Sequence, residues 1–234
     1  MVRRFFMKIT WLGQAGLLLD NGKTKIMVDP YLSNSVQKVN PLSFRRMPID
    51  ESLFDIEPDV MIFTHDHLDH YDPETAPRFL ADGRKPMTVL SPFSVWQKAK
   101  MNGKAHNYVM LERNTEWTEN GVRFKAVKAA HSDLFAVGVI IEDTVEGKVL
   151  YITGDTLYNS DIFADLPDNI DVVFLPINGV GNNMNARDAA DFACEIGARC
   201  AIPLHYGLFD SIDPKSFDFD NTLILEPYVK GVLK

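Results

Sequence analysis

Apolar residues in this chain fall mostly in short runs bounded by turn residues, the pattern of strands rather than of long helices. Lys8 to Leu19 alternates loosely and stops at Asp20-Asn21-Gly22-Lys23. Asn-Gly between apolar runs predicts a hairpin, so Lys25 to Val28 is expected to pair back on the first strand. Further strands are expected at Val60 to Phe63, Met87 to Leu90, Val122 to Ala130 and Phe135 to Glu142. Lys148 to Thr153, Val172 to Pro176 and Cys200 to Leu204, the last strand, complete the set. Helical signals are fewer. Asp72-Pro73 and Ser91-Pro92 each pair a capping residue with a first-turn proline. Pro77 keeps the first of these helices short, and Gly103 closes the second, Phe93 to Asn102. Asn185 caps a third helix, with Asp188 as a box-like partner and Gly197 at its end. In it Ala189, Phe192, Ala193 and Ile196 share one apolar face. Ser33 to Asp50 has little periodicity and is expected to be a long loop, functional or merely solvated. No linker or composition break divides the chain, which reads as a single domain over residues 1–234.

Composition narrows the class. The chain is 46% hydrophobic and 24% charged, as in ordinary globular proteins. No run approaches the length of a membrane span, so no membrane partner is expected. The start, Met1 to Met7, is basic but lacks the apolar stretch of a signal peptide, and Met7 could equally be the native first residue. The two cysteines, Cys194 and Cys200, make no metal or redox motif and read as buried small residues in a reducing compartment, which places the protein in the cytoplasm. The formal charge of −8 argues against extended nucleic acid as a partner. A small anionic, phosphorylated substrate stays open, because bound cations reverse the local potential. The size of the chain leaves homo-oligomerisation open.

The chemistry concentrates after Val60 to Phe63. There His65-Asp66-His67-Leu68-Asp69-His70 places three histidines and two aspartates within six residues. Side chains two apart on an extended strand share a face, so His65 and His67 point the same way. Imidazole and carboxylate at this density suit a borderline divalent cation. His131, Asp155 and His205 each stand directly after an apolar strand, where ligands can gather at one sheet edge on rigid supports. Asp29, at another strand exit, either orients a neighbouring ligand or caps its turn. His106 has no partner nearby and reads as a surface histidine.

The pattern His65-x-His67-x-Asp69-His70, followed by His131, Asp155 and His205 after successive strands, resembles the metallo-β-lactamase superfamily. The resemblance implies an α+β fold, a four-layer αββα sandwich of two mixed β-sheets flanked by helices and built from two similar halves. It also implies two divalent metal ions, zinc, manganese or iron. His65, His67 and His131 would hold one metal, Asp69, His70 and His205 the other, with Asp155 bridging them. Asp69 would also be catalytic, handling the proton while a hydroxide shared by the cations attacks the substrate. The segment from Pro176 to Asp191, with Ile202-Pro203-Leu204-His205-Tyr206-Gly207, resembles the L-ascorbate-6-phosphate lactonase-like branch. That likeness implies opening of a lactone of a phosphorylated sugar acid. A phosphodiesterase acting on cyclic nucleotides or RNA ends, or a non-catalytic metal-binding scaffold, is the alternative. Candidate substrate contacts are Arg45, Arg46, Asn182, Asn183, Arg187 and Tyr206, chosen as phosphate or polar handles.

Overall fold

A computed structural model describes residues 7–233; the choice between Met1 and Met7 as first residue turns on positions outside the described residues. Strands β1 (Met7–Gly13), β2 (Gly16–Asp20) and β3 (Lys25–Val28) form an antiparallel meander. Parallel strands β4 (Val60–Ile62), β5 (Thr88–Ser91) and β6 (Asn107–Met110) continue it. The second sheet repeats this plan. Its antiparallel part is β7 (Glu116–Glu119), β8 (Val122–Lys128), β9 (Val137–Asp143) and β10 (Lys148–Ile152). The parallel strands β11 (Val172–Pro176) and β12 (Ala201–Leu204) extend it. Finally β13 (Lys230–Leu233) returns to pair antiparallel with β1, making sheets of seven and six strands.

Burial follows the two-residue period of the strands. Ile26, Val28, Val60, Ile62 and Leu90 join the main core with Phe124, Val139, Ile152 and Phe174 of the other sheet. Their neighbours Met27, Met61, Phe63 and Val89 point the opposite way, into a second cluster with Phe79, Leu80, Val95 and Ala99. That outer face is covered by α2 (Ala76–Leu80) and α3 (Phe93–Lys100), while the short α1 (Ser35–Val39) lies in the loop before them. On the far side α4 (Ala186–Glu195) packs Phe192 6.4 Å from Tyr151, between ring centroids. The layers therefore run helix, sheet, sheet, helix, the expected fold.

Several elements differ from the sequence reading. Lys8 to Leu19 is two strands, because Gly13 and Gln14 both adopt left-handed backbone (φ 89° and 52°) and reverse the chain. Strands β6, β7 and β13 and helix α1 carry too little apolar periodicity to be read locally. The first proline-led helix begins only at Ala76, since the Asp72 carboxylate first organises a turn by accepting from Glu74 N–H and the Thr75 hydroxyl. His106 is buried rather than exposed: Nε2 lies 3.1 Å from Leu80 O, and Nδ1 accepts from Met87 N–H at 3.3 Å. Cys194 is exposed and Cys200 half-buried, because Cys194 falls off the buried face of α4 and Cys200 precedes the strand that packs.

Candidate metal centre

Five strand ends meet at one edge of the sandwich. β4 delivers His65 to His70, β8 leads to His131, β10 to Asp155, β12 to His205, and β3 to Asp29. The donor atoms form two groups. Around His67 Nδ1, His65 Nε2 and His131 Nε2 each lie 3.1 Å away. In the second group His205 Nε2 is 3.2 Å from Asp69 Oδ2 and 3.3 Å from His70 Nε2. Asp155 stands between them, 3.2 Å from His205 Nε2, 3.3 Å from His70 Nε2 and 4.0 Å from His131 Nε2. The seven expected ligand residues thus come together, grouped as His65, His67, His131 and Asp155 beside Asp69, His70 and His205.

This donor set fits divalent cations. Nitrogens bound tetrahedrally to zinc at about 2.0–2.1 Å stand roughly 3.3 Å apart. The spacings here are close to that edge length, and Asp155 Oδ1 is buried without a hydrogen-bond partner, an acceptor a cation would satisfy. His65, His67 and His131 would hold one ion and Asp69, His70 and His205 the other, with Asp155 between.

The outer partners fix which ring nitrogen faces inward. Asp29 Oδ2 lies 2.8 Å from His70 Nδ1 and accepts the Thr64 hydroxyl at 2.5 Å, while Oδ1 accepts Thr64 N–H at 2.8 Å. The Thr64 hydroxyl oxygen is in turn 3.0 Å from His65 Nδ1. One fully buried carboxylate therefore orients a histidine in each group. Of the two roles open to Asp29 from sequence, the structure assigns the orienting one. His131 Nδ1 donates to Asn182 O at 3.2 Å. Gln14 Nε2 donates to Asp69 Oδ2 at 2.9 Å, and the Asn178 amide lies 2.9 Å from His205 Nδ1. Thr64, Gln14 and Asn178 were not singled out by sequence; neutral side chains at scattered positions carry no local signal. Gln14, Asp29, Asn182 and His205 all have positive φ, from 41° to 64°. Such backbone persists in non-glycine residues only where surroundings over-determine it, as His205 N–H to Gln14 O at 2.9 Å does here.

The groups differ in charge. Burial holds His65 well below the ordinary imidazole range, and His131 is lowered for the same reason. For His205 burial opposes a proton, but Asp155 and Asp69 outweigh it and hold the ring up at about 10; His70 is raised by Asp155, Asp29 and Asp69. Asp155 and Asp69 lie correspondingly below the usual carboxylate range, against burial, through those two rings. A ligand nitrogen must be free of its proton to take a cation. Burial thus favours the proton-free form of His65 and His131, whereas the neighbouring carboxylates favour the protonated form of His70 and His205. We expect calorimetric titration in buffers of different ionisation enthalpy to show one cation binding with little proton release and one releasing one to two protons. Affinity at the second site should rise with pH up to about 10. Equal release at both steps would contradict this assignment.

The centre opens on a cleft of about 500 Å³ lined by Gln14, Ser132, Asn178, Asn182 and Asn183, with Val36, Val180 and Phe209 as apolar walls. Asn182 and Asn183 are where sequence placed them; Asn183 Nδ2 donates to Asp155 Oδ2 at 2.8 Å, and its Oδ1 is buried and unpartnered. The other four expected substrate contacts are not in the cleft. Arg45 is consumed by Tyr31 O, Met47 O and the Tyr228 hydroxyl at 2.8–3.3 Å, a brace for its own loop. Arg46 is exposed and lies over the Phe44 ring, and Arg187 is exposed on α4. Tyr206 is a core residue, its ring centroid 4.9 Å from that of Trp11. Among the described residues no lysine or arginine lines the cleft, while Asp210 adds a carboxylate. Among the described residues no helix is long and apolar enough to cross a membrane.

Residues 8–205 match the family model of the beta-lactamase superfamily domain. A UPF0173 metal-dependent hydrolase of Thermoplasma acidophilum is 31% identical over 222 residues, covering 90% of this chain and 89% of the relative. A UPF0173 protein of Pyrococcus furiosus is 29% identical over 212 residues, with 90% and 89% covered. Among solved structures, Igni18, a metallo hydrolase from Ignicoccus hospitalis, superposes with a TM-score of 0.76 at 20% identity over 98% of this chain and 99% of its own. The metallo-beta-lactamase fold protein YhfI from Bacillus subtilis does so at 0.70 and 17% identity, with 96% and 99% covered. The chain therefore belongs to the metallo-β-lactamase superfamily and, within it, to the UPF0173 metal-dependent hydrolases.

Proposed function

We propose that this metal-dependent hydrolase opens the lactone ring of a small sugar acid, the reaction of the L-ascorbate-6-phosphate lactonase-like branch. The observation that carries the reading is the cleft itself. Two donor groups joined by Asp155 face a space whose remaining polar lining is largely amide and hydroxyl. When bound, two divalent cations supply Lewis acidity and lower the pKa of water to about 7. The residues supply the rest. Asn178, Asn182 and Asn183 offer amide groups suited to the hydroxyls of a sugar acid. Asp69 is the more exposed of the two central carboxylates, with a side chain 17% accessible against 6% for Asp155. It can exchange a proton with the cleft, while Gln14 keeps its Oδ2 in place.

The phosphate handle expected from Arg45, Arg46 and Arg187 has no basis at the cleft, so the substrate proposed here is recognised by its hydroxyls. We expect a sugar-acid lactone and its phosphorylated form to be hydrolysed with kcat/KM within about tenfold of each other, since a lost ion-paired hydrogen bond of ~1.5–3 kcal/mol would give a larger gap. Activity should vanish with chelator and return with zinc or manganese. Turnover of phosphodiesters alone would transfer the same residues to the phosphodiesterase reading. Bound cations with no turnover of either class would leave a metal-binding scaffold.

A further inference from the structure

Asp133, two residues beyond His131, makes hydrogen bonds that reach well outside its own loop. Its Oδ2 accepts the backbone N–H of Asp66 at 3.0 Å and the hydroxyl of Ser94, in the first turn of α3, at 2.6 Å. Its Oδ1 accepts Phe135 N–H at 2.9 Å. Asp66 is the residue between His65 and His67, so one carboxylate ties the backbone carrying those two rings to the loop carrying His131. The same helix grips both loops from outside. Lys98 pairs with the Asp66 carboxylate, and Phe93 packs on Phe135 with ring centroids 5.1 Å apart. The other donor group is held differently, by Asp29, Gln14 and Asn178 on β3, the β1–β2 turn and the segment after β11.

We propose that Asp133 is a positioning residue that sets the spacing of the His65, His67 and His131 nitrogens, and so governs the divalent-cation affinity of that group alone. This rests on the metal reading of the two groups. A hydrogen-bonded carboxylate at this point fixes three rings at once: two through the backbone between them, one through its own loop. Among the described residues the group around His70 and His205 has no such tie to Asp133, so its affinity should not depend on that carboxylate. Asp29 and Asp155 act on both groups, so what α3 adds through Asp133 is a support of one of them only.

The test is zinc bound per chain, measured by elemental analysis after equilibration of the holoprotein at graded free zinc, together with visible spectra of the cobalt-loaded form. For Asp133→Ala we expect one site weakened about 10–100-fold, the usual effect of losing an outer-shell partner, with the second unchanged. One component of the cobalt spectrum should fade first. Asp133→Asn keeps a carbonyl oxygen for Asp66 N–H and the Ser94 hydroxyl, losing only the contact to Phe135 N–H within its own loop, and should restore affinity to within a few-fold. Ser94→Ala, which leaves the carboxylate in place, guards against a folding defect and should give a smaller shift at the same site. Equal weakening of both sites, or a lowered melting temperature with both affinities unchanged, would overturn the proposal. Wild-type protein that binds no divalent cation would instead remove the metal reading on which it stands.

Discussion

Asp155→Ala is expected to lower hydrolytic turnover by about a thousandfold or more, because charge stabilisation of several kcal/mol at a dinuclear centre is lost. The expectation follows from position rather than from residue type alone. Among the described residues Asp155 is the one carboxylate within 4.0 Å of ring nitrogens from both donor groups. Each of the other six candidate ligands serves its own group. Removing Asp155 should therefore deplete both sites, where removal of His67 should deplete one first. A second readout is independent of activity. Asp155 is the strongest influence raising both His70 and His205 against burial. In the metal-free variant these rings should titrate at markedly lower pH than in the parent, which NMR of the imidazole protons would report. A variant retaining two cations per chain and activity within tenfold of the parent would refute the bridging role.

Asp29 gives the second large effect, although it touches no cation position. It orients His70 directly and His65 through Thr64. Loss of one such partner commonly costs 10–100-fold in metal affinity, and loss of two linked ones should approach about a thousandfold. Asp29→Asn is the informative variant, because asparagine tolerates the left-handed backbone that Asp29 adopts (φ 41°), whereas alanine would add strain of its own. The amide has one oxygen where the carboxylate has two, so its NH2 must face either Thr64 N–H or the pair formed by the Thr64 hydroxyl and His70 Nδ1. We expect both sites to weaken and the metal-free fold to lose roughly 1–3 kcal/mol for the buried donor left unpaired. Unchanged affinity at the His65 site would break the proposed relay through Thr64. The contrast with Asp133, whose loss should touch that site alone, separates the two supports.

Much of the protein is legible locally. The alternation and turn residues from Lys25 to Leu204 mark eight of the strands, because a strand's face and its bounding turn are decided within a few residues. The spacing of His65, His67, Asp69 and His70 directly after β4 marks the centre, and His131, Asp155 and His205 are visible as strand-end residues for the same reason. The cap at Asn185 is also local: its side chain accepts from Arg187 and Asp188 N–H, as the motif predicts.

What escaped is what depends on the approach of distant segments. Gln14 meets His205 across 191 residues and Asp69 across 55, and Asp29 meets His70 across 41. No periodicity connects such positions; only the packing of two sheets and the convergence of their strand ends brings them together. The same holds for error. Arg45 carries the right chemistry for a phosphate, yet its guanidinium is spent on Tyr31 O and the Tyr228 hydroxyl, and Tyr228 lies 183 residues away. Tyr206 sits next to His205 in sequence but points into the core against Trp11. His106 looks solvent-facing in its polar stretch until α2 and β5 close over it. The sequence by itself determined most of the strand plan, which residues could serve as ligands and the chemical class of the site, since these rest on short-range pattern and side-chain chemistry. The tertiary structure alone decided which groups brace that set, which cations stay out of the cleft and which side chains a substrate can reach, because these are properties of distance between segments that the chain order does not encode.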